Sequence, residues 1–403
     1  MRISDFDFEL PEELVAQHPP RQRGESRLLV LDRRTGAIQH TMFSRLPEFL
    51  HGGDRLVLND TRVFPARLLG HRMPSGGAVE CLLVRPLPDH EPLNPLSQPR
   101  GRSEATDRTG EPPPAGPASS FAEAPEDKPR GPAYTSPSPE PRVPSPDMLW
   151  EALMHPGQKL KPGARVLFEG DGVAIEGEVL DRHFHGRRTI RLTAQEGVMQ
   201  AIERIGHIPL PPYIKRADTS EDRERYQTVF AREAGSIAAP TAGLHFTPSL
   251  LETLGDGGVR LVYVTLHVGY GTFKPVRVDD IEEHRVDPET FSVAATAARE
   301  LLEARAQEQR IIAVGTTTTR VLESLQDQPD TTGDLAGSTD LFIRPGHQFR
   351  FVNGLVTNFH LPRSSLLMLV AAFGGSEHVL AAYREAVAQR YRFYSYGDAM
   401  MIV

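Results

Sequence analysis

Residues 310–325 read Arg-Ile-Ile-Ala-Val-Gly-Thr-Thr-Thr-Thr-Arg-Val-Leu-Glu-Ser-Leu. The apolar run from Arg310 to Val314 predicts a buried strand. Gly315 and four threonines interrupt it, and a helix through Leu325 follows. Strand, glycine and helix in immediate succession are the unit from which α/β folds are built. Upstream, Val293 to Gln309 is rich in Ala, Glu and Leu and predicts a helix. Before it, Arg260 to Val268 has strong β composition. Downstream, Asp340 to Ile343 predicts a short strand, and Ser364–Phe373 and Glu377–Arg392 predict helices. In the last of these, Val379, Leu380, Tyr383 and Val387 share one face. Near the start, Arg27–Asp32 and Asp54–Asp60 each predict a buried strand. The reading is a large α/β domain formed by residues 1–65 and 197–403.

Between those two parts the pattern changes. Ala66–Arg72, Ala78–Arg85, Met148–Leu153, Arg165–Glu169, Val173–Asp181 and Arg187–Leu192 are short β-rich runs, with hairpin signals at Gly76-Gly77 and Asp171-Gly172. They predict a small antiparallel barrel or sandwich over residues 66–196. Residues 89–147 interrupt it with 15 of the chain's 35 prolines. Ten acidic and six basic residues give this segment a net charge of −4 out of −8 for the chain. Such a composition buries too little surface to offset chain entropy, so the segment is expected to be a disordered insertion.

With one cysteine, Cys81, neither a disulfide framework nor a cysteine-based metal site is available, which suits a reducing cytoplasm. No zinc site is expected, since no close His pair is present. The acidic N-terminus is not expected to be a signal peptide, and the longest apolar run, Leu366–Phe373, is too short to cross a bilayer. The P-loop, nucleophile-elbow and zincin motifs are all absent. Gly269-x-Gly271 follows an apolar strand but lacks the third glycine of a dinucleotide loop, and Lys274-Pro275 stands where a helix should begin.

Gly235 to Thr247 reads Gly-Ser-Ile-Ala-Ala-Pro-Thr-Ala-Gly-Leu-His-Phe-Thr. It is small-residue loop chemistry leading into a helix start at Thr247-Pro248. Either close packing of backbone on backbone or the approach of a ligand explains it. Gly315–Thr319 offers free N–H groups and hydroxyls to a phosphate, carboxylate or ribose, beyond the one hydroxyl that a cap needs. Lys274, Arg277, Arg344, Arg363 and Arg392 lie near Phe246, Tyr270, Phe273, Phe359 and Tyr396, a mixture that suits unpaired RNA bases.

Six stretches together resemble one family. They are Asn59–Leu68, Gly235–Phe246, Thr265–Phe273, Gly315–Arg320, Asn358-Phe359-His360-Leu361-Pro362 and Phe393–Met400. They are similar to the S-adenosylmethionine:tRNA ribosyltransferase-isomerases of queuosine biosynthesis, over the whole chain except residues 89–147. The resemblance implies a large α/β domain carrying an inserted six-stranded antiparallel β-barrel. It also implies that the ribosyl part of S-adenosylmethionine is transferred to 7-aminomethyl-7-deazaguanine at the wobble position of a tRNA anticodon loop and isomerised. Epoxyqueuosine, adenine and methionine are the products. S-adenosylmethionine is then a co-substrate, with no bound cofactor and no metal, and the enzyme is expected to be a cytoplasmic monomer without a membrane partner.

Such a reaction needs a base beside the sulfonium and an acid for departing adenine. His245 and His267 are the first candidates, with Asp60 and Asp398 as carboxylate alternatives. Thr241, Gly243, Phe246, Gly269, Gly271, Thr316 and Thr317 are candidates for holding S-adenosylmethionine or the modified base. Arg62, Lys274, Arg277, Arg344 and Arg363 are candidates for tRNA phosphates. A Rossmann-type methyltransferase using the same cofactor and a non-catalytic RNA-binding protein are the competing readings.

Overall fold

The computed structural model describes residues 1–88, 147–269, 271, 276, 278–325 and 333–403. The expected disordered insertion, apart from Asp147, lies outside the described residues, as do Tyr270, Phe273, Lys274 and Arg277.

In chain order the strands and helices begin with β1 (Arg27–Leu31), β2 (Ile38–Met42), β3 (Arg55–Asn59) and β4 (Thr61–Val63). Six strands follow: β5 (Arg67–Met73), β6 (Ala78–Leu87), β7 (Asp147–His155), β8 (Arg165–Gly170), β9 (Val173–Arg182) and β10 (Arg187–Thr193). The chain continues through α1 (Val198–Ile205), α2 (Ser220–Arg225), β11 (Glu233–Ser236), α3 (Pro248–Asp256), β12 (Arg260–Leu266) and β13 (Glu289–Val293). Next come α4 (Ala295–Ala306), β14 (Ile311–Val314), α5 (Thr316–Ser324) and β15 (Leu335–Thr339). The last elements are β16 (Gly354–Asn358), α6 (Ser365–Gly374), α7 (Ser376–Ala388) and β17 (Ala399–Ile402).

Nine strands form one sheet in the order β15-β13-β12-β3-β14-β16-β17-β1-β2. Its centre, β12-β3-β14-β16, is parallel. Alternate residues of these strands feed opposite faces, as the pleat requires. Val57, Ile311 and Ala313 enter a core with the helix residues Leu301, Val321 and Val370. Leu56, Leu58, Ile312 and Val314 enter a second core with Phe43, Phe246 and Leu250. Burial on both faces explains why these strands appear in the sequence as unbroken apolar runs.

Strands β5 to β10 close into a six-stranded barrel, ordered β10-β7-β6-β5-β8-β9, in which every neighbouring pair is antiparallel. The expected α/β domain with an inserted antiparallel barrel is therefore the observed architecture. Leu68, Cys81, Trp150, Phe168, Ile175 and Ile190 fill the barrel, and Val198, Ala201 and Ile202 of α1 join the same core. The β8–β9 hairpin turns at Asp171 (φ 48°) and Gly172 (φ 73°), two positive φ values of the kind a tight hairpin requires.

Three sequence expectations are corrected. The strand expected at Asp340–Ile343 lies earlier, at the edge strand β15, because its partner is β13 and Gly337 admits the Phe291 ring there. The helix expected from Val293 starts at Ala295, since Val293 pairs with Leu335 at the end of β13. Helix α7 ends at Ala388 rather than Arg392. Among the described residues no single helix is long and apolar enough to cross a membrane. The α6–α7 pair reaches that length and hydropathy only together, across a 116° bend.

Candidate active site

The carboxyl ends of the central parallel strands lie along one edge of the sheet, the usual place for a ligand crevice in such folds. A cavity of about 600 Å³ opens there. Its wall takes Val268 after β12, Gly315–Thr317 after β14, and Thr357, Asn358 and His360 around the end of β16. The turn Ala238–Ala242, the segment Tyr394-Ser395 and Leu361–Ser364 add to it, and the Tyr213 and Tyr394 rings on it lie tilted by 40° with centroids 4.0 Å apart.

Each wall segment has a local cause. Gly315 (φ 93°) turns β14 straight into α5, and its N–H donates to Val356 O at 2.7 Å. Thr319 N–H donates to Gly315 O, so the three N–H groups before it belong to the open first turn of the helix. Thr318 and Thr319 spend their hydroxyls on the carbonyls of Val314 and Gly315, whereas Thr316 and Thr317 line the cavity. Beneath them, Asn59 bridges the strand ends. It accepts from Leu266 N–H at 3.0 Å, donates to Leu266 O at 3.0 Å, and reaches Thr317 Oγ1 at 3.4 Å.

His360, 6 % exposed, is the imidazole on the wall. Its Nε2 pairs with Thr357 Oγ1 at 2.9 Å, and burial pushes its pKa down to about 3. The ring is therefore neutral across the physiological range.

The expected site residues divide. Thr241, Thr316 and Thr317 are on the wall. His245 is one residue behind it. Its Nδ1 meets Ser26 Oγ at 2.8 Å, its Nε2 meets Asn358 Nδ2 at 3.1 Å, and burial lowers its pKa to about 4. Both ring nitrogens are thus engaged by the protein.

Asp398 is a structural carboxylate: it accepts from the Arg27 and Arg392 backbone N–H groups and pairs with the Arg27 guanidinium, tying β1 to the chain before β17. Asp60 accepts from Thr265 Oγ1 at 2.7 Å and pairs with Arg232 at 2.8 Å. His267 meets Thr61 Oγ1 at 2.8 Å, above Gly235, where a Cβ would lie 2.9 Å from its ring. Asp60 and His267 are thus neighbours, but off the wall of the main cavity.

Gly243 and Phe246 serve packing. A Cβ on Gly243 would strike Thr228 and Phe230, and Phe246 is fully buried against Phe43. Gly269 N–H donates to Glu289, and Gly271 packs beside Asp287. Arg62 is exposed, Arg344 pairs with Glu282, and Arg363 pairs with Asp7 at the cavity wall. Lys274 and Arg277 lie outside the described residues.

Sequence reasoning gave no site role to Asn358, His360, Tyr213 or Tyr394, although all but Tyr213 lie in stretches that carry the family resemblance. The signal available was a strand, Gly354–Asn358, whose buried run ends in Thr-Asn-Phe-His. Polar groups closing a fully buried strand point to the crevice edge.

The queuosine biosynthesis protein family matches residues 3–402. The S-adenosylmethionine:tRNA ribosyltransferase-isomerase of Desulfitobacterium hafniense is 42 % identical over 403 residues, covering 100 % of each chain. The protein of the same name from Nitratidesulfovibrio vulgaris is 47 % identical over 402 residues, covering 99 % of this chain and 97 % of its own. The solved structure of S-adenosylmethionine tRNA ribosyltransferase from Thermotoga maritima is 35 % identical, covers 99 % of this chain and 100 % of its own, and has a TM-score of 0.49.

Proposed function

This chain belongs to the queuosine biosynthesis protein family, and from that membership we propose what the cavity does. The protein is an enzyme that transfers and isomerises the ribosyl moiety of S-adenosylmethionine onto 7-aminomethyl-7-deazaguanine at the tRNA wobble position. Epoxyqueuosine-tRNA forms, and adenine and methionine leave. One observation carries the assignment to this cavity. Five of the six stretches that carry the family resemblance supply its wall, and the sixth supplies Asn59 beneath Thr317.

The residue roles follow from the chemistry. The sulfonium of S-adenosylmethionine acidifies the adjacent carbon, so a neutral base must be at hand. His360 stands on the cavity wall, and by that position it takes the place first given to His245. Thr241, Thr316, Thr317 and the open N–H groups of α5 hold polar groups of the co-substrate. The faces of Tyr213 and Tyr394 hold its apolar surface. Arg363, with its side chain 57 % exposed, meets tRNA phosphate at the rim, and Arg62 and Arg344 extend that contact. S-adenosylmethionine is consumed as a co-substrate, without a resident cofactor or metal. The enzyme works as a cytoplasmic monomer, in keeping with its single, buried cysteine.

Incubation of the protein with S-adenosylmethionine and a tRNA bearing aminomethyl-deazaguanine tests the reading. Adenine and methionine should appear in step with modified tRNA. S-adenosylhomocysteine would identify a methyltransferase instead, and binding without either product an RNA-binding protein.

A further inference from the structure

Asn358 is 1 % exposed, stands on the cavity wall, and is satisfied at only one end of its amide. Nδ2 donates one hydrogen to Tyr394 O at 3.0 Å and the other to His245 Nε2 at 3.1 Å. A backbone carbonyl only accepts, so the amide cannot be turned round. His245 Nε2 must then present a lone pair, which leaves the ring proton on Nδ1, directed at Ser26 Oγ. Burial keeps that ring neutral, as this tautomer requires. Ser26, His245 and Asn358 form a chain with one polarity, and it terminates at Asn358 Oδ1. That oxygen is buried and has no hydrogen-bond partner among the described residues. Folded proteins rarely leave such an acceptor unpaired, because its desolvation is then uncompensated.

We infer that Asn358 Oδ1 accepts a hydrogen bond from the exocyclic amino group of a purine-type base bound in the cavity, and that His245 is the positioning residue that fixes the amide for this task. An amino group fits better than a ribose hydroxyl. A hydroxyl both donates and accepts, and would tolerate either end of an amide. A group that only donates is recognised by an acceptor held so that it cannot flip. A site built this way rejects an analogue lacking the group, because the acceptor stays unpaired. The inference rests on the reaction proposed above, which brings two such bases to the site: the adenine of S-adenosylmethionine and the deazaguanine of the tRNA. Both carry an exocyclic amine.

The test uses the full chain with two analogues. One is S-adenosylmethionine with hydrogen in place of the 6-amino group. The other is tRNA whose aminomethyl-deazapurine lacks the 2-amino group. Binding is measured directly, and kcat/KM for each partner substrate separately. In the wild type, one analogue should bind on the order of 10- to 100-fold more weakly than its parent, and which one does so identifies the base. Asn358→Leu should remove that discrimination by weakening the parent and sparing the analogue.

His245→Gln keeps an acceptor opposite Nδ2 and should retain discrimination, whereas His245→Leu removes the acceptor and should lose it. If the wild type treats both analogues like their parents, the inference fails whether or not any variant folds. If His245→Leu lowers the melting temperature but leaves discrimination intact, His245 is not the positioning residue. Discrimination in binding without adenine release from the natural pair would overturn the proposed reaction and leave the base contact standing.

Discussion

Gly397 shows how tightly single positions are specified around the cavity. A Cβ there would lie 2.4 Å from Arg392 O and 2.6 Å from the Phe393 carbonyl carbon, both backbone atoms that cannot swing aside. Gly397→Ala should therefore cost about 3 kcal/mol, read as a lower denaturant midpoint with an unchanged slope. A shift within ~0.5 kcal/mol would mean that the Arg392–Asp398 turn relaxes freely. His245 and His360 impose a pH dependence. Burial holds their pKa values near 4 and 3, against an ordinary value of 6.5. Around His245, Asp398 partly offsets burial, while Arg392 and Arg23 add to it. Below about pH 6.5 the unfolded chain binds protons that the folded chain refuses, so stability falls as the pH falls. The loss should approach ~1.4 kcal/mol per pH unit for each ring, continuing towards pH 4 for His245 and pH 3 for His360. Urea midpoints at pH 7, 6 and 5 check this, and a flat profile would refute it. At this scale the sequence was only partly legible. Thr316 and Thr317 fall on the cavity wall, where a helix start after a buried strand has few alternatives. His245 and Phe246 fall behind it, because proximity to a glycine loop does not tell which side of that loop faces the cavity.

At the scale of elements, α5 separates two jobs along one run of threonines. Thr318 is fully buried with its hydroxyl on Val314 O at 2.7 Å, while Thr316 and Thr317 face the cavity. Thr318→Val should lower stability by about 1 kcal/mol and leave kcat/KM for S-adenosylmethionine unchanged. Thr317→Val should do the opposite, lowering kcat/KM on the order of 10-fold at constant melting temperature. Equal effects on both quantities in both variants would remove the distinction. The elements legible in the sequence are those whose signal is local. These are the apolar runs of β1, β3, β12 and β14, the alternating barrel strands, and the Thr247-Pro248 start of α3, where Thr247 Oγ1 accepts from Leu250 N–H as a cap should. The elements missed are edge or late strands. β15 reads Leu-Ala-Gly-Ser-Thr and forms because β13 lies beside it, and β17 inserts between β16 and β1, with partners far away in sequence. Pairing energy of that kind leaves no periodic trace in the strand itself.

At the scale of the molecule, the barrel and the nine-stranded sheet divide the work unevenly. Among the described residues, the cavity takes its wall from positions at or after Pro212, and no barrel strand contributes to it. Residues 89–146, which hold none of the six stretches that carry the family resemblance, join two barrel strands that are already partners. β6 and β7 are antiparallel, and Leu87 stands directly opposite Leu149. Ends so close need only a short connection, so a linker of about five Gly/Ser residues in place of 89–146 should close the hairpin without moving either strand. Chain entropy favours the change. Loop closure costs about 0.6 kcal/mol for each doubling of length, so shortening this loop roughly twelvefold should stabilise the barrel by up to ~2 kcal/mol. The replaced variant should melt no lower than the parent and should release adenine at the parent's rate with saturating tRNA. Its KM for tRNA carries the remaining information. An unchanged KM assigns the segment no part in docking, and a raised KM at constant kcat would give it a binding role outside the cavity. A folded variant whose kcat collapses would place the segment in the reaction itself and defeat the argument from strand pairing.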